Sequence, residues 1–209
     1  MHALLKTTGD EQMKQGKHLD LGCGGRPRNP YGYSDLCGVD IYQNPNLASN
    51  VEFKLANLSI HPIPFEDAYF DAISAFDVIE HIPRVLSGGV NGTRFPFVEL
   101  MNEIWRALKP NGLFYALTPA YPRLDAFKDP THVNIITEGT HEYFCGDMCY
   151  AKPYGFYGKF EVVEVSWVHP RLNYSAEKST KKTLKSLFRS VIRGKQKSHL
   201  LWQLRAIKP

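Results

Sequence analysis

No stretch of the sequence approaches the roughly 20 consecutive apolar residues that a membrane-spanning helix needs. The opening residues, MHALLKTTGDEQMKQGK, hold no apolar segment of signal-peptide length. The expected location is therefore the cytoplasm. Cysteine is scarce: Cys23, Cys37, Cys145 and Cys149 are the four in the chain. Three residues separate Cys145 from Cys149, and no second pair lies nearby, so free thiols are expected rather than a zinc site or a disulfide framework. The G-K-[ST] of a P-loop is missing, and no other metal-ligand cluster stands out, so no metal site is read from the sequence. Acidic residues are almost absent from one region. Residues 171–209 hold 11 Lys and Arg against one acid, Glu177, whereas the first 170 residues hold 14 against 20 acids. The net charge of +4 thus belongs to one segment, which argues against a general polyanion binder.

What remains is ordinary for a water-soluble protein, with 43% hydrophobic and 22% charged residues. The 209 residues suit one well-buried domain, 1–209, and no linker or repeat divides them. The chain alternates apolar runs with turn signals. His18–Leu21, Leu36–Tyr42 and Val51–Leu55 read as strands. Phe70–Phe76 (FDAISAF) is nearly continuous in apolar and small residues, as a strand buried on both faces should be. The glycine-rich residues 84–94 read as a loop. Phe95–Leu108 has helical periodicity through Phe97, Leu100, Met101, Ile104, Trp105 and Leu108, with Lys109–Gly112 as its stop. Leu113–Thr118 is a further strand, residues 119–136 a proline-containing surface loop, and Thr137–Phe144 a short helix. Phe160–Val168 alternates as a strand does, and His199–Ile207 reads as the last strand. The order predicts an α/β protein with a mostly parallel sheet.

The most informative stretch is HLDLGCGGRPRNPYGYSDLCGVDIY, residues 18–42. Glycines after a first strand let a backbone approach a ligand closely. An acid at the end of the second strand suits the vicinal hydroxyls of a ribose. Asp20, Gly22, Gly24 and Asp40 therefore describe a nucleoside-type site. The plainer reading is a tight turn with Asp40 as a strand-end residue. A dinucleotide site wants a third glycine opening a helix over the pyrophosphate. Here Arg26, Pro27 and Pro30 stand in that region, and little room is left for a full helix before Leu36. This weighs against an NAD-linked oxidoreductase, which stays as a lesser alternative.

LDLGCGGRP resembles the first motif of the class I S-adenosylmethionine-dependent methyltransferases, and GVDI resembles their second. LANLSIHPIPFEDAYFDAISAFDVIEHIP is similar to the stretch where these enzymes hold adenine and then run along strand four. LMNEIWRALKPNGLFYALTP is similar to their following helix, turn and strand. The four motifs come in the family's order and cover residues 18–119. The resemblance implies a Rossmann-like, seven-stranded, mostly parallel sheet with a terminal antiparallel hairpin and helices on both faces. It implies S-adenosyl-L-methionine as cofactor. Gly22, Cys23 and Gly24 would pass beneath its methionine and ribose, with Asp20 near the amino group. Asp40 and Ile41 would take the ribose end, Asn57 and Leu58 would flank adenine, and Phe76 and Asp77 would face the methionine. Where Arg26 stands, relatives often have a third glycine, and the first helix must be cut down or missing.

Methyl transfer from a sulfonium requires alignment and exclusion of water, and a hydroxyl acceptor must also lose a proton. The acceptor side is expected in residues 119–144, where Asp129-Pro130-Thr131-His132 gathers polar groups. His132 is the candidate base, with Asp129 beside it and His81 as a second histidine within reach. Bracing of a loop, or capping in the case of His81, is the plainer role for each. No Asn-Pro-Pro-Tyr, Asp-Pro-Pro-Tyr or Pro-Cys motif of the nucleobase methyltransferases is present. The acceptor expected by default is a hydroxyl of a small molecule, or of a sugar or glycolipid in surface polysaccharide synthesis. DPTHVN is similar to a loop of some bacterial methyltransferases suspected of modifying surface sugars. A catalytically inactive, cofactor-binding partner subunit is the non-enzymatic alternative.

Residues 176–194 predict a basic amphipathic helix inserted, at about 175–197, before the last strand, with Leu184, Leu187, Phe188 and Val191 as its stripe. Packing on the domain is the plain reading. The sharper one is contact of 178–195 with an anionic membrane surface, placing the protein at the inner face of the membrane. The aromatic interleaving of a single-strand RNA platform is missing, which argues against nucleic acid.

Overall fold

A computed structural model describes residues 13–89, 92–174, 176 and 197–209. Beyond Ala176 the predicted basic helix, with residues 178–195, lies outside the described residues. Nine strands and one α-helix organise the rest: β1 (Lys14–Leu21), β2 (Tyr33–Asp40), β3 (Glu52–Leu55), β4 (Phe70–Phe76), β5 (Leu86–Ser87), β6 (Thr93–Arg94), α1 (Pro96–Ala107), β7 (Leu108–Pro119), β8 (Phe160–Val168) and β9 (His199–Ala206). Seven strands form one sheet in the order β3-β2-β1-β4-β7-β9-β8, and β5 and β6 form a small hairpin. The first five strands of the sheet are parallel. β9 runs antiparallel to both β7 and β8.

Burial explains the central strands. Phe70, Ala72, Ile73 and Ala75 of β4 are at most 1% exposed, as befits a strand covered on both faces. One face of the sheet carries the larger core. There Leu19, Leu21, Val39, Ile73, Phe114 and Trp202 meet the apolar stripe of α1, Phe97, Leu100, Met101 and Ile104. That stripe is the predicted one. The helix opens with Pro96 in its first turn, where the missing N–H costs nothing. Its C-terminus is tied down by Arg106, which donates to the carbonyls of Ile63 and Phe65 and pairs with Glu103 and Asp67.

The opposite face differs from the expectation of helices on both sides. Among the described residues it carries no α-helix. Phe76, Tyr115, Leu117, Val168 and Leu201 form a second core, covered by Tyr31 and Ala176 from two irregular segments. These segments hold each other and the sheet: Ala176 N donates to Pro30 O at 2.7 Å, Tyr115 Oη to Asn173 O at 2.7 Å, and Tyr31 Oη to Gln203 Oε1 at 3.2 Å. The physical reason lies in the connection from β1 to β2, where Pro27 and Pro30 interrupt a stretch too short for a helix. Two boundaries also differ. β1 begins at Lys14, because Asp71 accepts from Lys17 N at 2.8 Å and anchors a polar half-strand. The Lys109–Gly112 stop is a bulge within the long β7, with Asn111 in left-handed backbone at φ 63°.

Candidate functional site

In the sheet order the chain reverses direction between β1 and β4, and ligands of open α/β sheets bind outside the carboxyl ends of strands at such a switch point. Gly22 and Asp77 follow those two strands directly. Gly22 and Gly24 both take positive φ, 65° and 54°, conformations that disfavour a side chain. A Cβ on Gly22 would come within 2.4 Å of Val78 Cγ2, whereas one on Gly24 would meet nothing within 4 Å. The turn is thus packed on one side and open on the other, as a cradle for a ligand must be. Asp40 holds it. Its Oδ2 accepts from Gly24 N at 2.9 Å and its Oδ1 from Tyr42 N at 3.3 Å. Each oxygen keeps a second lone pair for a ribose hydroxyl.

Other expected contacts are redistributed. Asp20 is 2% exposed and points into the sheet, accepting from Ser74 Oγ at 2.6 Å and Arg28 N at 2.8 Å. It braces the turn from behind rather than meeting a cofactor amino group. Burial pushes its carboxyl up to about 7, against the opposing pull of Ser74 and Arg28. His18, whose Nε2 lies 2.8 Å from Ser74 Oγ, is pushed by burial down to about 3. Cys23 is 4% exposed, with Sγ in the space beside Gly38, so only its backbone can serve the turn. Leu58 belongs to the core, and Asn57 Oδ1 caps Ser59 N at 3.0 Å. The Asn57 NH2 and the second lone pair of its Oδ1 stay available to a base. Ile41 is exposed and Phe76 is buried in the second core. Phe76 packs against Arg28, whose guanidinium lies 4.8 Å from the Phe76 ring and 4.9 Å from that of Tyr174, the two rings themselves meeting edge to face at 5.7 Å. Asp77 stays at the strand tip, at φ 57°, and accepts from His199 Nε2 at 3.0 Å.

The expected acceptor residues do come together, around a group the sequence reading did not single out. Glu80, 1% exposed, accepts from Thr118 Oγ1 through Oε2 at 2.9 Å. Its other oxygen has no hydrogen-bond partner among the described residues and lies 3.9 Å from His132 Nε2. Burial raises its carboxyl to about 8, with the nearby Asp77 and Asp129 adding to the rise. His132 Nδ1 lies 3.2 Å from Ala126 O, which can only accept, so the lone pair is on Nε2. His81 Nδ1 likewise lies 3.2 Å from Thr131 O and 3.0 Å from Thr131 Oγ1. That hydroxyl gives its own proton to Asp129 Oδ1 at 2.6 Å. The loop is pinned to the 79–81 turn, since Val133 N and Asn134 N both donate to Glu80 O. The rings of His81 and His132 meet edge to face at 4.8 Å. Arg28, Glu80 and His199 carry no motif of their own; Glu80, beside His81 in DVIEH, offered the one sequence cue.

A sheet with this order, a glycine turn at its switch point and an acid on the next strand define a class I S-adenosylmethionine-dependent methyltransferase. A family profile described as a methyltransferase domain matches residues 1–142, and the chain belongs to that family. The fold is similar to that of an S-adenosylmethionine-dependent methyltransferase from Mesorhizobium loti, at 15% identity and TM-score 0.58 over 93% of this chain and 92% of that one. It is also similar to Haemonchus contortus phosphoethanolamine N-methyltransferase 2, solved with S-adenosyl-L-methionine, at 20% identity and TM-score 0.53 over 95% and 50%. The [4+2]-cyclase SpnF shares it at 15% identity and TM-score 0.56 over 95% and 77%. No curated protein matches the sequence. No helix among the described residues is long and apolar enough to cross a membrane.

Proposed function

We propose that this protein transfers the methyl group of S-adenosylmethionine to a hydroxyl of a small molecule or of a sugar or glycolipid. One observation carries the reading. Val78 packs against Gly22 of the cofactor turn, and two residues later Glu80 opens the His81–His132 cluster. The cofactor cradle and a set of proton-handling groups are therefore neighbours across one short turn. The cofactor supplies an activated methyl on a sulfonium, with a neutral thioether as leaving group. Asp40 orients the ribose and the Gly22–Gly24 backbone the methionine. His132 Nε2 holds the lone pair that takes the proton of an acceptor hydroxyl, and Asp129 Oδ2, 3.9 Å away, favours the resulting imidazolium.

Calorimetric titration with S-adenosylhomocysteine, with NAD as control, tests the cofactor half. Micromolar binding of the first alone is expected, and binding of NAD alone would refute it. Asp40→Ala should weaken that binding by about 1–3 kcal/mol, the range for hydrogen bonds to a charged group. His132→Ala should leave it unchanged and lower turnover in a screen of sugar and small-molecule hydroxyl acceptors. Full turnover in that variant would remove His132 as the base.

A further inference from the structure

We propose that Glu80, His81 and His132 form a binding site for a divalent transition-metal ion, open on the side where the acceptor approaches. The inference rests on the reading of this cluster as the acceptor end. It keeps the acceptor at this cluster but replaces the base step: with a cation bound, the His132 lone pair is a ligand and the cation, not the imidazole, acidifies the acceptor hydroxyl.

Three observations support it. One ligand atom from each residue can be chosen so that all three lie within 4.8 Å of one another. A point equidistant from such atoms lies only about half an ångström beyond the roughly 2.0–2.2 Å of metal–nitrogen and metal–carboxylate bonds. The carboxylate is also buried with an oxygen unused. Glu80 Oε1 is fully enclosed, has no hydrogen-bond partner among the described residues, and is directed at His132 Nε2. A buried polar atom left bare is costly and uncommon; a cation between these atoms satisfies it. Third, both imidazoles are held as metal ligands usually are. Each gives its Nδ1–H to a backbone carbonyl, Ala126 O for His132 and Thr131 O for His81, which leaves Nε2 of each ring as the unprotonated nitrogen. Thr118 does the same for the carboxylate, donating to Glu80 Oε2.

Two imidazoles and one carboxylate favour a borderline ion such as Co2+ or Zn2+, with the harder Mn2+ bound more weakly, over Mg2+, which prefers oxygen ligands and retained water. Three protein ligands leave positions open for substrate. An acceptor hydroxyl bound there would give its proton to solvent. Its lone pair would form the bond to the methyl carbon while the carbon–sulfur pair leaves on sulfur.

The full chain, stripped with chelator, should be titrated with Mn2+ and followed by loss of the free-ion paramagnetic resonance signal, and with Co2+ followed by visible absorption. One ion per chain is expected, with Co2+ bound more tightly than Mn2+. His81→Ala and the near-isosteric Glu80→Gln should each weaken binding by about tenfold or more, with S-adenosylhomocysteine affinity within about twofold of the parent as the check of folding. No binding of either ion by the parent chain at millimolar concentration would overturn the proposal. So would unchanged ion affinity in both variants. Loss of the cofactor reading would appear separately, as ion binding without S-adenosylhomocysteine binding.

Discussion

Replacing Asp20 by Asn should change the pH dependence of stability in a calculable way. Asp20 is buried behind the glycine turn, and its carboxyl stands at about 7 in the folded chain against 3.8 for an ordinary aspartate. The folded state therefore holds a proton that the unfolded chain releases at lower pH. Its stability falls as pH rises through that interval and levels off above about 7. At ~1.4 kcal/mol per unit the interval is worth about 4 kcal/mol, of which about 3 falls between pH 5 and 7. Asn matches the protonated acid. Its carbonyl can accept from Arg28 N and its NH2 can donate to Ser74 Oγ, which turns its own proton toward His18 Nε2. The variant should already lead the parent by about 1–2 kcal/mol at pH 5, gain a further ~3 kcal/mol by pH 7, and hold that lead to pH 8. His18, with its folded pKa depressed to about 3, contributes the opposite slope, a loss of stability as pH falls below 6.5. That slope lies below pH 6.5, and because His18 shares Ser74 with Asp20 the cleanest reading of the difference is the interval from pH 6.5 to 7 and the plateau above it. Urea denaturation of the two proteins at pH 5, 6, 7 and 8 measures it. A stability difference that stays constant across that range would show that Asp20 is ionised throughout, and the reasoning would fail.

Two further substitutions probe the turn and the helix. Gly22→Ala places a Cβ 2.4 Å from Val78 Cγ2 at φ 65°; it should cost about 1–2 kcal/mol from the backbone alone. Thermal unfolding and S-adenosylhomocysteine titration should show both losses, with partial recovery when Val78→Ala is added. Asn102→Leu should destabilise by about 1–3 kcal/mol in urea, because Asn102 bridges Gly155 O and Tyr157 N at 2.9 and 3.0 Å and leucine would remove both bonds.

The parts of the fold that periodicity exposes were legible in the sequence. β4 and β8 have the bounds read from a continuous apolar run and a clean alternation, and α1 starts and stops within a residue of its stripe. What periodicity does not carry was lost. The first half of β1 is polar and becomes a strand through Asp71, an anchor 54 positions away. The glycine turn and Asp40 were legible because backbone conformation and strand-end position leave local signatures. Asp20, Cys23, Leu58 and Phe76 lie in the same motifs, but their roles depend on which way each side chain turns at the strand end, and there the sheet claims them. Glu80 is the converse case, since its importance comes from the loss of solvent around it, which the packing of β7 and the 129–134 loop brings about.

The place of β9 bears on how the chain reaches this state. β9 lies between β7 and β8 yet follows both in sequence. Until residues 199–206 are made, β7 has one bare edge and β8 has no neighbour in the sheet. Half-finished chains would carry an open, apolar hydrogen-bonding edge beside the acceptor loop, the kind of surface that recruits strands from other molecules. The sheet closes only through contacts of long sequence separation, which makes late assembly slow. The same late strand brings His199 to Asp77 at the strand tips, so that this corner of the site is completed only once the sheet has closed.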